Sequence, residues 1–149
     1  MGHDLFTSSE VGKKYFDLAN EIMEIDIQNI IFNGPEEKLK ETQYTQPAIY
    51  IVSVILGHIL LEKGLQPDMV AGHSLGEYSA CTIAGSLAFE TGLSLVKLRA
   101  ESMQDAGITN PGTMAAIIGM TDEDVISMCN TISSDESVVV AANFNCPGQ

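Results

Sequence analysis

Apolar residues recur at helical spacing in several stretches of the chain. A capped helix is predicted after Thr7-Ser8-Ser9, because hydroxyl side chains can cap a first turn and Val11, Tyr15 and Leu18 would share one apolar side. The segment 89–104 repeats this pattern. Both stretches are therefore predicted to be packing helices.

The most continuously apolar helix is predicted between these two. Apolar residues from about Pro47 to Lys63 cover almost the whole circumference, which predicts a helix buried on most sides. Thr45 is expected to cap this helix with Pro47 in its first turn, and Gly64 is expected to end it. His58 lies inside it and is interpreted as a core or boundary histidine rather than a catalytic one.

Three short apolar segments without helical spacing predict strands. They are Met69–Ala71, Met114–Ile118 and Val138–Ala142. Between the last two, Thr121 opens a capping box that predicts a short helix to about Ile132. The second half of this pattern therefore predicts a strand-helix-strand unit.

This order of elements predicts an α/β protein with two domains. Residues 1–108 are expected to form the larger one, and residues 109–149 begin a smaller subdomain after a turn rich in glycine and proline. Only one strand is predicted before residue 109, so the sheet is expected to be incomplete within this chain.

Composition and net charge disfavour several classes of partner and site. The 149 residues are 45% hydrophobic and 18% charged, as in an ordinary soluble globular protein. The formal net charge of −13 disfavours nucleic acid and anionic membranes as partners. The longest apolar run, Ile49–Leu61, is shorter than the roughly 20 residues that span a bilayer. Three widely spaced cysteines predict neither disulfides nor a metal site, so a cytoplasmic protein is expected.

The candidate chemistry follows the first predicted strand, in Gly72-His73-Ser74-Leu75-Gly76. A serine between two glycines at a strand-to-helix turn is typical of a nucleophile elbow, because side chains at Gly72 and Gly76 would collide with their surroundings. The backbone N–H of Leu75 is the expected oxyanion donor at the start of the next helix. A turn of small residues without catalytic function is the alternative interpretation.

Arg99 is the candidate for binding an anion. It borders the apolar side of the helix predicted over 89–104, whereas Lys97 points away from that side. Arg99 is therefore the better placed cation for an interior cleft. A surface arginine that extends its charge to solvent fits the same spacing.

Five segments together resemble the family of malonyl-CoA:acyl carrier protein transacylases, which includes the acyltransferase domains of fatty acid and polyketide synthases. The resemblance covers nearly the whole chain and is far more specific than the serine turn alone. The segments are Thr45-Gln46-Pro47-Ala48, Gly72-His73-Ser74-Leu75-Gly76-Glu77-Tyr78-Ser79-Ala80, Val96-Lys97-Leu98-Arg99, Gly112-Thr113-Met114-Ala115-Ala116 and Asn143-Phe144-Asn145-Cys146-Pro147-Gly148-Gln149.

The resemblance implies an α/β-hydrolase-like acyltransferase core with a nucleophile elbow, followed by the start of a ferredoxin-like subdomain. In this family the elbow serine takes a malonyl group from malonyl-CoA and passes it to the phosphopantetheine thiol of acyl carrier protein. Ser74 matches that serine, and Arg99 matches the arginine that pairs with the malonyl carboxylate. The resemblance thus implies a coenzyme A thioester as substrate, acyl carrier protein as partner, fatty acid biosynthesis as the pathway, and no bound cofactor.

The sequence departs from the family in two catalytic parts. Members begin with a strand that ends in Gly-Gln-Gly-Ser-Gln and carry the catalytic histidine on a later Ser-His loop, and neither motif is found here. His73 is expected to point away from the Ser74 hydroxyl, and neither His3 nor His58 is placed to act as the base. This chain alone is therefore expected to be weak or inactive, because an unactivated serine is a poor nucleophile.

Three alternative functions stay open. A polyketide-pathway acyltransferase that loads malonyl or a branched extender would have the same motifs. A hydrolase could use the same elbow, although a carboxylate-binding arginine has no general use there. The missing histidine also fits a non-catalytic fragment that binds a carrier protein.

Overall fold

The computed structural model describes residues 1–149 and contains eight α-helices. The chain divides into two compact units, Met1–Pro111 and Gly112–Gln149, with the first seven helices in the first unit. The helices are α1 (His3–Ser8), α2 (Glu10–Met23), α3 (Ile27–Asn33), α4 (Glu36–Lys40), α5 (Thr42–Glu62), α6 (Gly76–Ile83), α7 (Phe89–Thr109) and α8 (Asp122–Ile132).

None of the three predicted strands forms as a strand within these residues. Residues 69–71, 114–118 and 138–142 have no regular secondary structure. A strand requires ladder hydrogen bonds to a neighbour, and no backbone hydrogen bond joins these segments to one another. The α/β sheet expected from the sequence is therefore absent from residues 1–149, which form helices and irregular segments only.

Helix α5 is the centre of the first unit. It packs against α2, α3, α4, α6 and α7, and its buried residues all lie in the part that ends at Ile55. The prediction that it is buried on most sides is wrong for the rest of the helix, where Leu56 and Leu60 are 45% and 46% exposed. By length and apolar composition α5 alone could cross a membrane, a test that a core helix of a soluble protein also passes.

The predicted start of α5 is wrong. The helix begins at Thr42, so Thr45 and Pro47 lie inside it rather than at its cap and first turn. The Thr45 hydroxyl donates to the carbonyls of Leu39 and Glu41, the latter at 3.1 Å. These bonds secure the turn that precedes the proline, where the missing proline N–H removes one helical bond.

Gly64 ends α5 as predicted. Its φ of 87° lies in the left-handed region, which glycine adopts without a steric penalty. The Gly64 N–H donates to the Leu61 carbonyl at 2.9 Å, and the Leu65 N–H donates to the Leu60 carbonyl at 3.1 Å. These two bonds form a Schellman motif, which satisfies carbonyls that the helix end leaves unpaired.

The predicted N-cap at Thr121 is confirmed, and the cap predicted within Thr7-Ser8-Ser9 is formed by Ser9. The Ser9 hydroxyl accepts from the Gly12 N–H at 3.3 Å and begins α2. The Thr121 hydroxyl accepts from the Asp124 N–H at 3.2 Å and begins α8 in the second unit. The helix predicted over 89–104 is present as α7 and continues to Thr109.

The crossing of α5 and α7 depends on a glycine. Tyr50 of α5 is fully buried, and its hydroxyl donates to the Phe89 carbonyl at 3.1 Å and lies 2.8 Å from the Thr82 hydroxyl oxygen. A Cβ on Gly92 of α7 would lie 2.1 Å from that tyrosine oxygen. The two helices can approach this closely only because residue 92 has no side chain.

Gly92→Ala is therefore expected to lower the free energy of unfolding by about 2 kcal/mol, the usual cost of overpacking a core. Gly107→Ala is the matched control in the same helix, since a Cβ there meets nothing within 4 Å. That control is expected to raise stability by up to about 1 kcal/mol, because alanine favours helix. Urea unfolding of both variants measures the difference, and equal effects would contradict the close packing at residue 92.

Candidate active site

The predicted serine turn leads directly into α6. Ser74 has a φ of 55°, in the left-handed region that non-glycine residues rarely adopt. The N–H groups of Gly76 and Glu77 donate to the carbonyls of His73 and Ser74 at 2.9 and 3.2 Å. The serine is thus held in a tight turn, with strained backbone geometry at the residue that carries the hydroxyl.

The two glycines around Ser74 differ in their surroundings. A Cβ on Gly72 would lie 2.0 Å from the backbone carbon and oxygen of Gly76, so this close approach requires glycine. A Cβ on Gly76 would meet nothing within 4 Å among residues 1–149. The collision predicted for a side chain at Gly76 is therefore wrong, since that position faces open space rather than backbone.

Ser74 and Arg99 are brought together by the packing of the turn against α7. Nη2 of Arg99 donates a hydrogen bond to Oγ of Ser74 at 2.9 Å. Ser74 is exposed, whereas Arg99 is partly buried. The three ion pairs of the chain all involve lysines, so no carboxylate of residues 1–149 neutralises Arg99. The site therefore contains a serine hydroxyl beside a guanidinium without an ionic partner.

Gln46 is a site residue that sequence analysis did not single out. It lies on α5, is 6% exposed, and accepts a hydrogen bond from Nη1 of Arg99 through Oε1. Its Nε2 donates to Oγ1 of Thr42 at 2.7 Å and lies 3.3 Å from Sδ of Met103. Its one signal in the sequence was membership of the segment Thr45-Gln46-Pro47-Ala48.

The backbone N–H of Leu75 follows the serine and has no hydrogen-bond partner among the backbone carbonyls of residues 1–149. The Leu75 residue is 8% exposed and belongs to the core cluster. Burial of the side chain fixes the backbone at this position, so the N–H is available at a defined place beside Ser74. Its function as oxyanion donor stays a prediction.

Two of the three histidines are placed away from Ser74. The His58 ring stacks on the Tyr15 ring with centroids 5.0 Å apart, and burial lowers the pKa of His58. This is the boundary position that was predicted for it. His3 packs edge-on against Phe32, with centroids 5.1 Å apart. The orientation of His73 away from the hydroxyl stays a prediction.

A serine in strained backbone geometry at a tight turn into a helix is typical of proteins that transfer or hydrolyse acyl groups through a serine ester. Residues 1–147 match the acyl transferase domain family. The chain belongs to this family, which confirms the resemblance seen in the sequence.

Three similar proteins show which members of this family the chain resembles. The chain is 39% identical over 149 residues to the malonyl CoA-acyl carrier protein transacylase of Bacillus subtilis, covering all of this chain and 47% of that protein. It is 40% identical to the crystal structure of MCAT from Streptococcus pneumoniae, with a TM-score of 0.88 over 99% of this chain and 48% of that one. A malonyl-transacylase in complex with its type II PKS acyl-carrier protein is 36% identical, with a TM-score of 0.85 over 99% and 48% of the two chains.

These likenesses show that the chain has the fold of part of these acyltransferases. It spans about half the length of the relatives it matches.

Proposed function

We propose that the protein carrying this chain transfers a malonyl group from coenzyme A to the phosphopantetheine thiol of acyl carrier protein. The observation that supports this most is the 2.9 Å hydrogen bond from Arg99 to the Ser74 hydroxyl. In malonyl-CoA one methylene separates the carboxylate from the thioester carbonyl. A carboxylate bound at Arg99 would therefore hold that carbonyl within reach of Ser74.

The reaction proceeds in two steps through a serine ester. Oγ of Ser74 attacks the thioester carbonyl, the Leu75 N–H stabilises the tetrahedral oxyanion, and the coenzyme A thiol leaves. The carrier thiol then attacks the ester carbonyl, takes the malonyl group, and returns the hydroxyl to Ser74. His3 and His58 pack elsewhere, and His73 is proposed to point away from the hydroxyl, so the 149 residues alone are proposed to be weak or inactive because they lack a base.

The proposal also includes the fold of each part of the chain, the cellular compartment and the pathway. Residues 1–108 would be part of an α/β-hydrolase-like core in which Ser74 forms the nucleophile elbow. Residues 109–149 would begin the ferredoxin-like subdomain. The protein is proposed to act in the cytoplasm in fatty acid biosynthesis, with no bound cofactor.

A second candidate is malonyl transfer to the carrier protein of a polyketide pathway. It is favoured by one neighbour of known structure, the malonyl-transacylase bound to its type II PKS acyl-carrier protein. The chemistry at Ser74 and Arg99 would be the same in both pathways. The identity of the carrier protein that accepts the malonyl group separates the two candidates.

The test is malonyl transfer by the full-length protein that carries this sequence. With radiolabelled malonyl-CoA, we expect one malonyl group on the peptide that contains Ser74, and its transfer to added carrier protein. Carriers from fatty acid and polyketide pathways are compared in parallel. Carrier binding without any acylation of the full-length protein would overturn the enzyme proposal and favour the non-catalytic binding module.

A further inference from the structure

We propose that Gln46 is a positioning residue that orients Arg99 and so sets the preference of this site for acyl groups that carry a carboxylate. The inference rests on the proposed function, because it assigns Gln46 a task within the same site. Gln46 contacts Arg99 and has no bond to Ser74. It would therefore act on the substrate only through the guanidinium.

The guanidinium of Arg99 is held at both of its terminal nitrogens. Nη1 donates to Oε1 of Gln46, and Nη2 donates to Oγ of Ser74. Two bonds at opposite ends of a planar group fix the orientation of its plane as well as its position. A carboxylate can pair in bidentate fashion only with a guanidinium that presents its edge correctly, so the Gln46 bond selects this geometry before substrate arrives.

The amide of Gln46 is itself fixed. Its Nε2 donates to Oγ1 of Thr42, one turn earlier on α5, at 2.7 Å. With the NH₂ group engaged there, the carbonyl oxygen is the end that faces Arg99. A flipped amide would place two donors against the guanidinium and lose the bond to Arg99, because a guanidinium can only donate. Arg99 thus selects the carbonyl oxygen of Gln46, and the bond to Thr42 together with burial holds the amide in place.

Because the amide of Gln46 is neutral, it does not neutralise the positive charge of Arg99. The chain contains 20 acidic residues, and none forms an ion pair with Arg99. A glutamate at position 46 would bind the guanidinium more strongly, but it would also compete with the substrate carboxylate for the same charge. A glutamine carbonyl orients the guanidinium and leaves its charge available to a ligand.

The test compares Gln46→Leu and Gln46→Glu with the unaltered full-length protein, using malonyl-CoA and acetyl-CoA as competing donors. Gln46→Leu is expected to lower the malonyl over acetyl ratio of kcat/KM about tenfold, the effect of losing one bond to a charged group. Gln46→Glu is expected to lower the same ratio because its carboxylate competes with the malonyl carboxylate for the guanidinium. Gln43→Leu is the matched control on the same helix, where the amide bonds Glu41 instead. In an Arg99→Ala background, Gln46→Leu should leave the ratio unchanged, because residue 46 then has nothing to orient.

A second readout does not depend on activity. Arg99 is the only arginine among the 149 residues, so the rate at which phenylglyoxal modifies its peptide reports on the freedom of this guanidinium. We expect Gln46→Leu to raise that rate several-fold and Gln46→Glu to lower it, a divergence that a general loss of stability would not produce. Equal rates in all three proteins would overturn the inference even if malonyl transfer is observed. Absence of malonyl transfer together with divergent rates would overturn the proposed function and the preference, while upholding the Gln46–Arg99 contact.

Discussion

Ser74→Ala is expected to abolish formation of the malonyl-enzyme in the full-length protein. Removal of a serine nucleophile typically lowers kcat by at least about 10⁴-fold, because the covalent intermediate can no longer form. The next serine in the sequence is not placed to replace it. Ser79, one turn into α6, is the next serine along the chain, and its Oγ is buried without a hydrogen-bond partner.

Intact mass and peptide mapping after incubation with malonyl-CoA measure this loss. Ser79→Ala is the matched control, since it makes the same chemical change five residues away in a buried position. It should retain acylation and cost little stability, because its hydroxyl makes no hydrogen bond that the alanine would lose. A malonyl group that still appears on the Ser74→Ala protein would show that another residue is the nucleophile.

Features that depend on a few neighbouring residues were predictable from the sequence. The caps at Ser9 and Thr121 and the end of α5 at Gly64 form because a side chain or a left-handed glycine satisfies adjacent backbone groups. The start of α5 was not predictable in this way. Thr45 bonds to carbonyls that precede the helix, and Gln46 bonds to Thr42. These contacts extend the helix toward its N-terminus, so it begins at Thr42 rather than at Pro47.

The three predicted strands, by contrast, depend on residues that are not their neighbours in the sequence. Apolar segments such as 69–71 have strand-like composition, but a strand exists only where a neighbour completes the ladder. Residues 1–149 provide no such neighbour for any of the three segments, so composition alone predicted an element that these residues do not form. Pairing partners can be distant in sequence, and local pattern does not identify them.

The candidate site likewise has residues that the sequence predicted and contacts that it did not. Ser74 and Arg99 were identified by a turn motif and by helical spacing, together with the family resemblance. Their hydrogen bond depends on how α7 packs against the serine turn, which no spacing determines. Gln46 was not predicted as a site residue, because a single glutamine in an apolar helix has no pattern of its own. Its importance follows only from its contact with Arg99.

Arg99→Ala is expected to change which acyl group the full-length protein accepts. A charge-assisted pair between a guanidinium and a carboxylate contributes about 1.5–3 kcal/mol, which corresponds to about 10- to 150-fold in kcat/KM for malonyl-CoA. Acetyl-CoA has no carboxylate and loses nothing from this change. The substitution also removes the donor that occupies a lone pair of the Ser74 hydroxyl, which favours attack on uncharged thioesters.

The ratio of kcat/KM for malonyl-CoA and acetyl-CoA is the decisive measurement, with Lys97→Ala as the matched control. Lys97 is a cation two positions away on α7, but it pairs with Glu24 at 3.1 Å, so its removal should leave the ratio unchanged. An unchanged ratio in Arg99→Ala would mean that the acyl carboxylate does not meet this guanidinium. An equal loss with both donors would mean that Arg99 supports Ser74 itself, since only a contact with the carboxylate distinguishes malonyl from acetyl.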